Sequence, residues 1–319
     1  MRGSGDTASR QRWLGYGACG LAGCLWGTGF YFGRLALNEM SVEYMVLYRF
    51  LFACVGLLPV AVVERVRLTW PETRLLLISA ALGVPVQFLL QFHGLVLTTV
   101  SHAALMVGTV PVLLAAAAAL FAGERLDAVD WLALFGSAAG VVLISVGGVR
   151  GASGNEQPSL GGDMLVVLSL GLSIAWVLLS KKLMETHSPP AVTAYTILAG
   201  TAMLAAWILG PRALRGWIPN HSAPMPFAHV SATAWTALAV SGLACTATTT
   251  LLWNWGIHHV PASRAGVFLN IEPALGSVLG VELLGERLGP FAWLGGGLIL
   301  AAAITLTTRG HEEPAVILE

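Results

Sequence analysis

The sequence predicts an all-α integral membrane protein: ten transmembrane helices forming two inverted five-helix repeats. Three observations predict this. The chain of 319 residues is 56% hydrophobic and 11% charged, far too little charge to cover the surface of a soluble domain of that length. Its apolar residues fall in continuous runs of roughly 20, the length a helix needs to cross a hydrocarbon core about 30 Å thick. The runs do not alternate, and Ala, Leu and Gly dominate where a membrane barrel would want Val, Thr and Tyr, so helices are the expected spanning element. Finally, the chain repeats itself, with GERL at 123–126 and again at 285–288.

Taken in order, the first run, 13–37, is too long for a signal-peptide core, lacks a clean cleavage site and carries Trp26 and Arg34, so it is expected to remain as an anchor. The second, 42–63, holds Tyr48 and Arg49, and the third, 74–97, holds Gln87, Gln91 and His93. The fourth, 101–121, has Pro111 near its centre, and the fifth, 129–147, pairs Gly136 with Gly140, a close-packing spacing. The sixth, 161–184, carries Trp176, and the seventh, 190–209, carries Tyr195. The eighth, 232–257, contains Trp253-Asn254-Trp255. The ninth, 262–284, contains Asn270, Glu272 and Pro273, followed by Gly276 and Gly280 at close-packing spacing. The tenth is 289–308. The expected organisation is an N-terminal tail over 1–12, a first repeat over 13–148, a linker over 149–160, a second repeat over 161–308 and a C-terminal tail over 309–319.

An offset of 162 residues brings Gly94, Ser101, Ala103, Pro111, Leu113, Trp131 and Leu132 onto Gly256, Ser263, Ala265, Pro273, Leu275, Trp293 and Leu294. With a shorter first loop in the second half, Trp26 meets Trp176 and Tyr48 meets Tyr195. Five helices per copy is odd, so the second copy enters the membrane upside down. Such repeats are related by a pseudo-two-fold axis in the membrane plane and place a substrate site near the midplane between the halves. Arg2, Arg10, Arg12, Arg65, Arg67, Arg74, Arg125, Lys181, Lys182, Arg264 and Arg309 share one side, against Arg150, Arg212, Arg215 and Arg287 on the other. The positive-inside rule therefore puts both termini in the cytoplasm.

The stretches "YRFLFA" (48–53), "HGLVLTTVSHAALMVGTVPVLLAAAAALFAGERL" (93–126), "GGDMLVVLSLGLSIAWVLLSKKL" (161–183) and "SRAGVFLNIEPALGSVLGVELLGERLGPFAWLGGGLIL" (263–300) resemble the two repeats of an EamA-type protein of the drug/metabolite transporter superfamily. The resemblance covers nearly the whole chain. It implies ten helices, cytoplasmic termini, residence in a bacterial inner membrane and movement of metabolites or drugs, commonly export. Thr196 stands in the second repeat where the first has Arg49, so any role of that arginine is not symmetric.

Within GERL, the Gly is expected to end the preceding helix in a left-handed cap and the Glu to accept from the N-terminal amides of the next. Glu272 is the one acidic residue placed at the midplane, beside the helix-breaking Pro273. It reads as a group that binds a substrate amine or cycles a proton, or else one that holds the bundle together. Asn270 is a weaker candidate on a different face. Gln87 and Gln91, four apart on one face, and His93 are candidate pathway-lining residues whose alternative role is interhelical hydrogen bonding. Trp26, Trp176, Tyr48 and Tyr195 are deep and repeat-related and read as cavity walls suited to a flat or amphipathic substrate. Trp13, Trp131, Trp217, Trp235 and Trp293 sit near span ends and read as interface anchors. Trp253-Asn254-Trp255 aligns with Gln91-Phe92-His93, so the two triplets are expected to close the cavity at opposite ends. Arg49 either snorkels outward and pairs with Glu43, or faces the cavity and favours a substrate carboxylate.

No Walker loop, paired catalytic carboxylates or nucleophile elbow is present, which argues against an enzyme. Cys19, Cys24, Cys54 and Cys245 lack metal-ligand spacing, and His258-His259 has no further ligands near it, so neither disulfide, metal nor cofactor is expected. A formal net charge of zero gives no field for nucleic acid, and the lack of a midplane Lys/Arg cluster argues against sugar phosphates. The expected function is a secondary or facilitative transporter that moves a small organic metabolite, an amino acid or an amphipathic drug-like compound, by alternating access. Its expected partners are the substrate and the bilayer, with proton coupling, exchange and facilitated diffusion all open as modes of transport. A membrane-embedded lipid-modifying enzyme and a passive channel or sensor are the rival classes.

Overall fold

The computed structural model describes residues 3–117, 127–146, 158–210, 230–260 and 266–309, and every regular element among them is helical. Six helical stretches are long and apolar enough to cross a membrane: Val42–Val63, Trp70–Val96, Ala128–Val146, Leu160–Met184, Pro189–Leu209 and Ala232–Ile257. Shorter apolar helices cover Val100–Leu113 and Pro290–Thr305.

The first expected span is two helices, α1 (Gly3–Gly27) and α2 (Gly29–Leu37). Thr28 interrupts them because both its amide (3.2 Å) and its hydroxyl (2.7 Å) turn back to the Leu25 carbonyl. After α3 (Val42–Val63) comes α4 (Trp70–Ala81), which starts earlier than expected. A reciprocal cap sets that start: Glu72 accepts from the amide and hydroxyl of Thr69 at 2.8 and 2.6 Å. A π-helical turn, Leu82–Val86, joins α4 to α5 (Gln87–Val96), and a second one, Leu243–Thr248, joins α11 (Ala232–Gly242) to α12 (Thr249–His259). The two wide turns arise differently. Pro85 withholds a backbone donor in the first, whereas the Thr246 and Thr249 hydroxyls donate five residues back, to Ser241 (3.0 Å) and Ala244 (2.7 Å), in the second.

The fourth expected span is α6 (Val100–Val107) and α7 (Val110–Ala117), broken at Gly108-Thr109; the ninth expected span is a 3₁₀ turn, Gly266–Asn270, running into α13 (Ile271–Leu284). Pro111 and Pro273 therefore lie in the first turns of α7 and α13, where a missing amide is not needed, and the breaks fall just before them. The remaining helices are α8 (Ala128–Val146), α9 (Leu160–Met184), α10 (Pro189–Leu209) and α14 (Pro290–Arg309).

Packing follows an exchange of the two halves. α1 packs on α12 as α9 packs on α5, and α3 on α11 as α10 on α4, while α6–α13, α3–α10 and α8–α14 each pair with their own counterpart. At α8–α14 a Cβ on Gly140 would stand 2.6 Å from the Gly295 carbonyl, so the expected small-residue contact is real there; Gly136 has no such neighbour. Gly276 meets Ala104 of α6 at a comparable distance. Trp13, Trp131 and Trp293 are exposed, as their anchor reading requires, whereas Trp235 packs on Tyr48 and Trp217 lies outside the described residues. Between α2 and α3, Glu39 accepts from the Ser231 hydroxyl and amide, both at 2.6 Å, which holds its carboxyl below the usual range and ties this loop to the start of α11.

Candidate functional site

A polar centre forms around the α1–α2 break, where Gly29 lies beside the Arg49 guanidinium of α3 and Cys245 of the π turn before α12, and Gly27 beside the Glu272 backbone of α13. Arg49 is buried in α3. Its Nε donates to Thr246 Oγ1 at 3.3 Å, and its guanidinium carbon lies 5.1 and 5.4 Å from the ring centroids of Phe88 and Phe92. Stacking on aromatic faces is a favourable setting for a guanidinium inside an apolar bundle. Arg49 thus neither snorkels nor pairs with Glu43, whose carboxylate instead meets His93 Nε2 at 3.3 Å.

Across the centre, Glu272 stands in the first turn of α13 and interacts electrostatically with Arg49 and with Cys245. Among the described residues no group hydrogen-bonds or ion-pairs directly with the Glu272 carboxylate. Asn270 precedes it as the N-cap of α13. Cys245, expected only to fill space, has its thiol 3.1 Å from the Thr28 hydroxyl at the α1–α2 break. The centre therefore brings a basic group of the first half and an acidic group of the second into one region, with aromatic rings beside Arg49.

The other expected site residues divide. Trp26 and Trp253 pack together, ring centroids 5.4 Å apart, where α1 meets α12; Trp255 instead faces outward and stacks on His259. Trp253 is thus the ring of that triplet that packs on α1. In the opposite triplet Phe92 is buried against Phe30 at 6.2 Å, and His93 is exposed at the rim. Gln87, Gln91 and Asn254 are all buried. The Trp176 indole lies flat on Gly83, one turn before Gln87. Gln87 Oε1, Trp176 Nε1 and Asn254 Nδ2 are buried polar atoms without a hydrogen-bond partner among the described residues. Tyr195 donates to the Ala61 carbonyl at 3.1 Å near the end of α3, while Tyr48 packs edge-on to Trp235, so the two tyrosines sit towards opposite ends of the α3–α10 pair.

The second GERL is structural. Gly285 adopts φ 66°, the left-handed cap read from the sequence, and the Glu286 amide reaches back to the Gly280 carbonyl at 3.1 Å. Its carboxylate, buried, accepts from the Val100 and Ser101 amides at 2.8 Å each. The capped helix is therefore α6 of the other half, not the next helix in the chain. Sequence spacing carries no sign of that partner, because the contact closes only when α6 crosses α13. The first GERL lies outside the described residues.

Sequence reading passed over Thr28, Thr246, Phe88, His102 and Asp163. An ionisable residue inside an apolar run was the available signal for the last two.

The EamA-like transporter family model matches residues 13–146 and 160–308, one copy on each half. The chain belongs to the EamA-like transporter family. This EamA protein is 24% identical over 290 residues to an uncharacterized transporter of Archaeoglobus fulgidus, covering 90% of this chain and 95% of that one. It is 26% identical over 301 residues to YedA, an uncharacterized inner membrane transporter of Escherichia coli K12, at 91% and 90% coverage. A probable terminal-alkyne amino-acid exporter of Streptantibioticus cattleyicolor is 24% identical over 287 residues, at 89% and 90% coverage. One solved crystal structure superposes with TM-score 0.59 over 94% of this EamA chain and 96% of its own at 17% identity, a likeness of fold.

Proposed function

We propose that this EamA protein is an alternating-access transporter of zwitterionic small metabolites, amino acids with apolar side chains in particular, working as an exporter in a bacterial inner membrane with both termini cytoplasmic. The observation that carries this reading is the juxtaposition of Arg49 and Glu272, one from each half. Arg49 matches a substrate carboxylate, Glu272, with no direct hydrogen-bond or ion-pair partner among the described residues, matches its ammonium, and Phe88 and Phe92 offer apolar surface beside Arg49. The exchange of packing partners between halves supports ten helices in two inverted repeats, and the paired π turns and broken helices supply hinge points in both. Trp26–Trp253 closes the end expected to face the cytoplasm, and Phe92 with His93–Glu43 closes the other. The exporter name of one relative favours the amino-acid class and the outward direction, and the positive-charge asymmetry favours the orientation.

Counterflow tests it. Liposomes holding the purified protein, loaded with unlabelled L-phenylalanine or L-propargylglycine, should transiently accumulate the same labelled amino acid from outside. An amphipathic cation serves as comparison. No exchange of either amino acid would overturn the substrate class, and no exchange of any compound would overturn the transporter mechanism.

A further inference from the structure

The end of the bundle remote from the Trp26–Trp253 contact contains an acid–imidazole pair that the substrate site does not use. His102, the third residue of α6, and Asp163, in the first turn of α9, are both fully enclosed, with Nδ1 3.6 Å from Oδ2. That is an ion-pair separation, longer than a hydrogen bond. The other carboxylate oxygen, Oδ1, accepts from the Thr98 hydroxyl at 2.5 Å. Both His102 ring nitrogens and Asp163 Oδ2 are buried without a hydrogen-bond partner among the described residues. Two ionisable groups held a rotation apart, with free valences facing one another, form a site with room for one proton.

Helix ends and charged groups surround the pair. Two helix N-termini converge here, α6 capped by Thr99 and α9 by Ser159, and the Ser159 amide is tied to the Leu97 carbonyl at 2.9 Å. Such termini attract negative charge. Glu286 is fixed on the Val100 and Ser101 amides, and Arg34 of α2 donates to the Leu95 and Thr98 carbonyls at 3.1 and 3.4 Å. From α5, His93 is exposed and held by Glu43. From α13, Glu282 is exposed, and Glu272 lies deeper, at the level of Gly108, which touches Pro273. Asp130 of α8 lies at the far end, and α14 brings no charge near. Among the described residues Arg287 is exposed beside Glu286, and within the enclosed pair a protonated His102 would supply the partner that Asp163 Oδ2 lacks. A carboxylate sealed inside a membrane without its ion-pair partner is costly, whereas one at an opened end is hydrated.

We infer that His102 and Asp163 form a proton-binding site whose loading seals the outer end of the transporter. A proton from the outer solution reaches His102 only while α5, α6 and α9 stand apart. It binds the imidazole lone pair, the imidazolium pairs with Asp163, and the end closes. Release of the proton favours reopening. This supplies the coupling step of an exporter driven by inward proton movement. The naming of this end as outer rests on the orientation proposed above.

The test needs no substrate. Val166 is buried on α9 one turn from Asp163, where Gly94 of α5 covers it, so a cysteine there reports separation of the two helices. In whole cells carrying Val166→Cys with Cys19, Cys24, Cys54 and Cys245 replaced, an impermeant thiol reagent is applied at pH 6 and pH 8. Rates are normalised to a cysteine at exposed Val96, which removes the pH dependence of thiol chemistry. Labelling should rise several-fold at pH 8, and the rise should vanish in His102→Gln and in Asp163→Asn. A pH-independent Val166→Cys signal, or a rise that persists in a folded His102→Gln or Asp163→Asn protein, overturns the proposal. The wild-type comparison decides even where a variant fails to fold, and amino-acid counterflow at constant pH reports separately on the transporter reading.

Discussion

Glu272→Gln keeps the shape of the side chain and removes its charge, and amino-acid counterflow should fall roughly tenfold to a hundredfold. That is the scale of losing a charge-assisted hydrogen bond worth about 1.5–3 kcal/mol. Folded yield and thermal midpoint should remain close to those of the wild type, because among the described residues nothing hydrogen-bonds or ion-pairs directly with the Glu272 carboxylate. The loss should be specific: a substrate analogue without the amine should be affected far less than the parent amino acid. Arg49→Gln should show the complementary preference, with greater loss for substrates that carry a carboxylate. It should also lower stability, since Arg49 holds Thr246 and covers two phenylalanine rings. Equal counterflow by Glu272→Gln and wild type would return Glu272 to packing.

Glu286→Ala should have the largest effect on stability. Its carboxylate satisfies two buried amides at the start of α6, and removing it strands both at a cost of about 1–3 kcal/mol each. The thermal midpoint in detergent should drop by several degrees. Glu286→Gln, which keeps one acceptor oxygen, should fall between Ala and wild type. Counterflow per folded molecule should change little, because the cap lies away from Arg49 and Glu272. An unchanged midpoint in Glu286→Ala would mean that the amides find other partners and that the second GERL does not tie the halves together.

Periodic and compositional features of this chain were legible in its sequence. Apolar runs marked the helices because a bilayer imposes their length, and the doubled GERL and paired tryptophans marked the repeat. Gly285 was readable as a left-handed cap because few other residues tolerate that conformation. Arg49 was ambiguous for a physical reason: depth along a helix does not say which way a side chain turns, and only the Phe88–Phe92 surface supplied by α5 resolves it inward. The Thr28 break and the π turn at Leu243–Thr248 depend on which carbonyls the threonine hydroxyls capture, a choice made by packing. His102 and Asp163 lie 61 residues apart on helices of different halves, so their meeting is a property of the crossing and not of either segment.

The inverted-repeat mechanism is tested most directly by a cysteine in place of Gln87, in a background without the native cysteines, labelled separately from each side of the membrane. Trp253→Ala removes the partner of Trp26 and should raise labelling from the cytoplasm. Phe92→Ala removes the contact with Phe30 and should raise labelling from outside. Opposite shifts from these two substitutions at repeat-related depths are what an alternating cavity requires, because its two closed states must differ by only a few kcal/mol. Shifts towards the same side, or no shift from either, would contradict it.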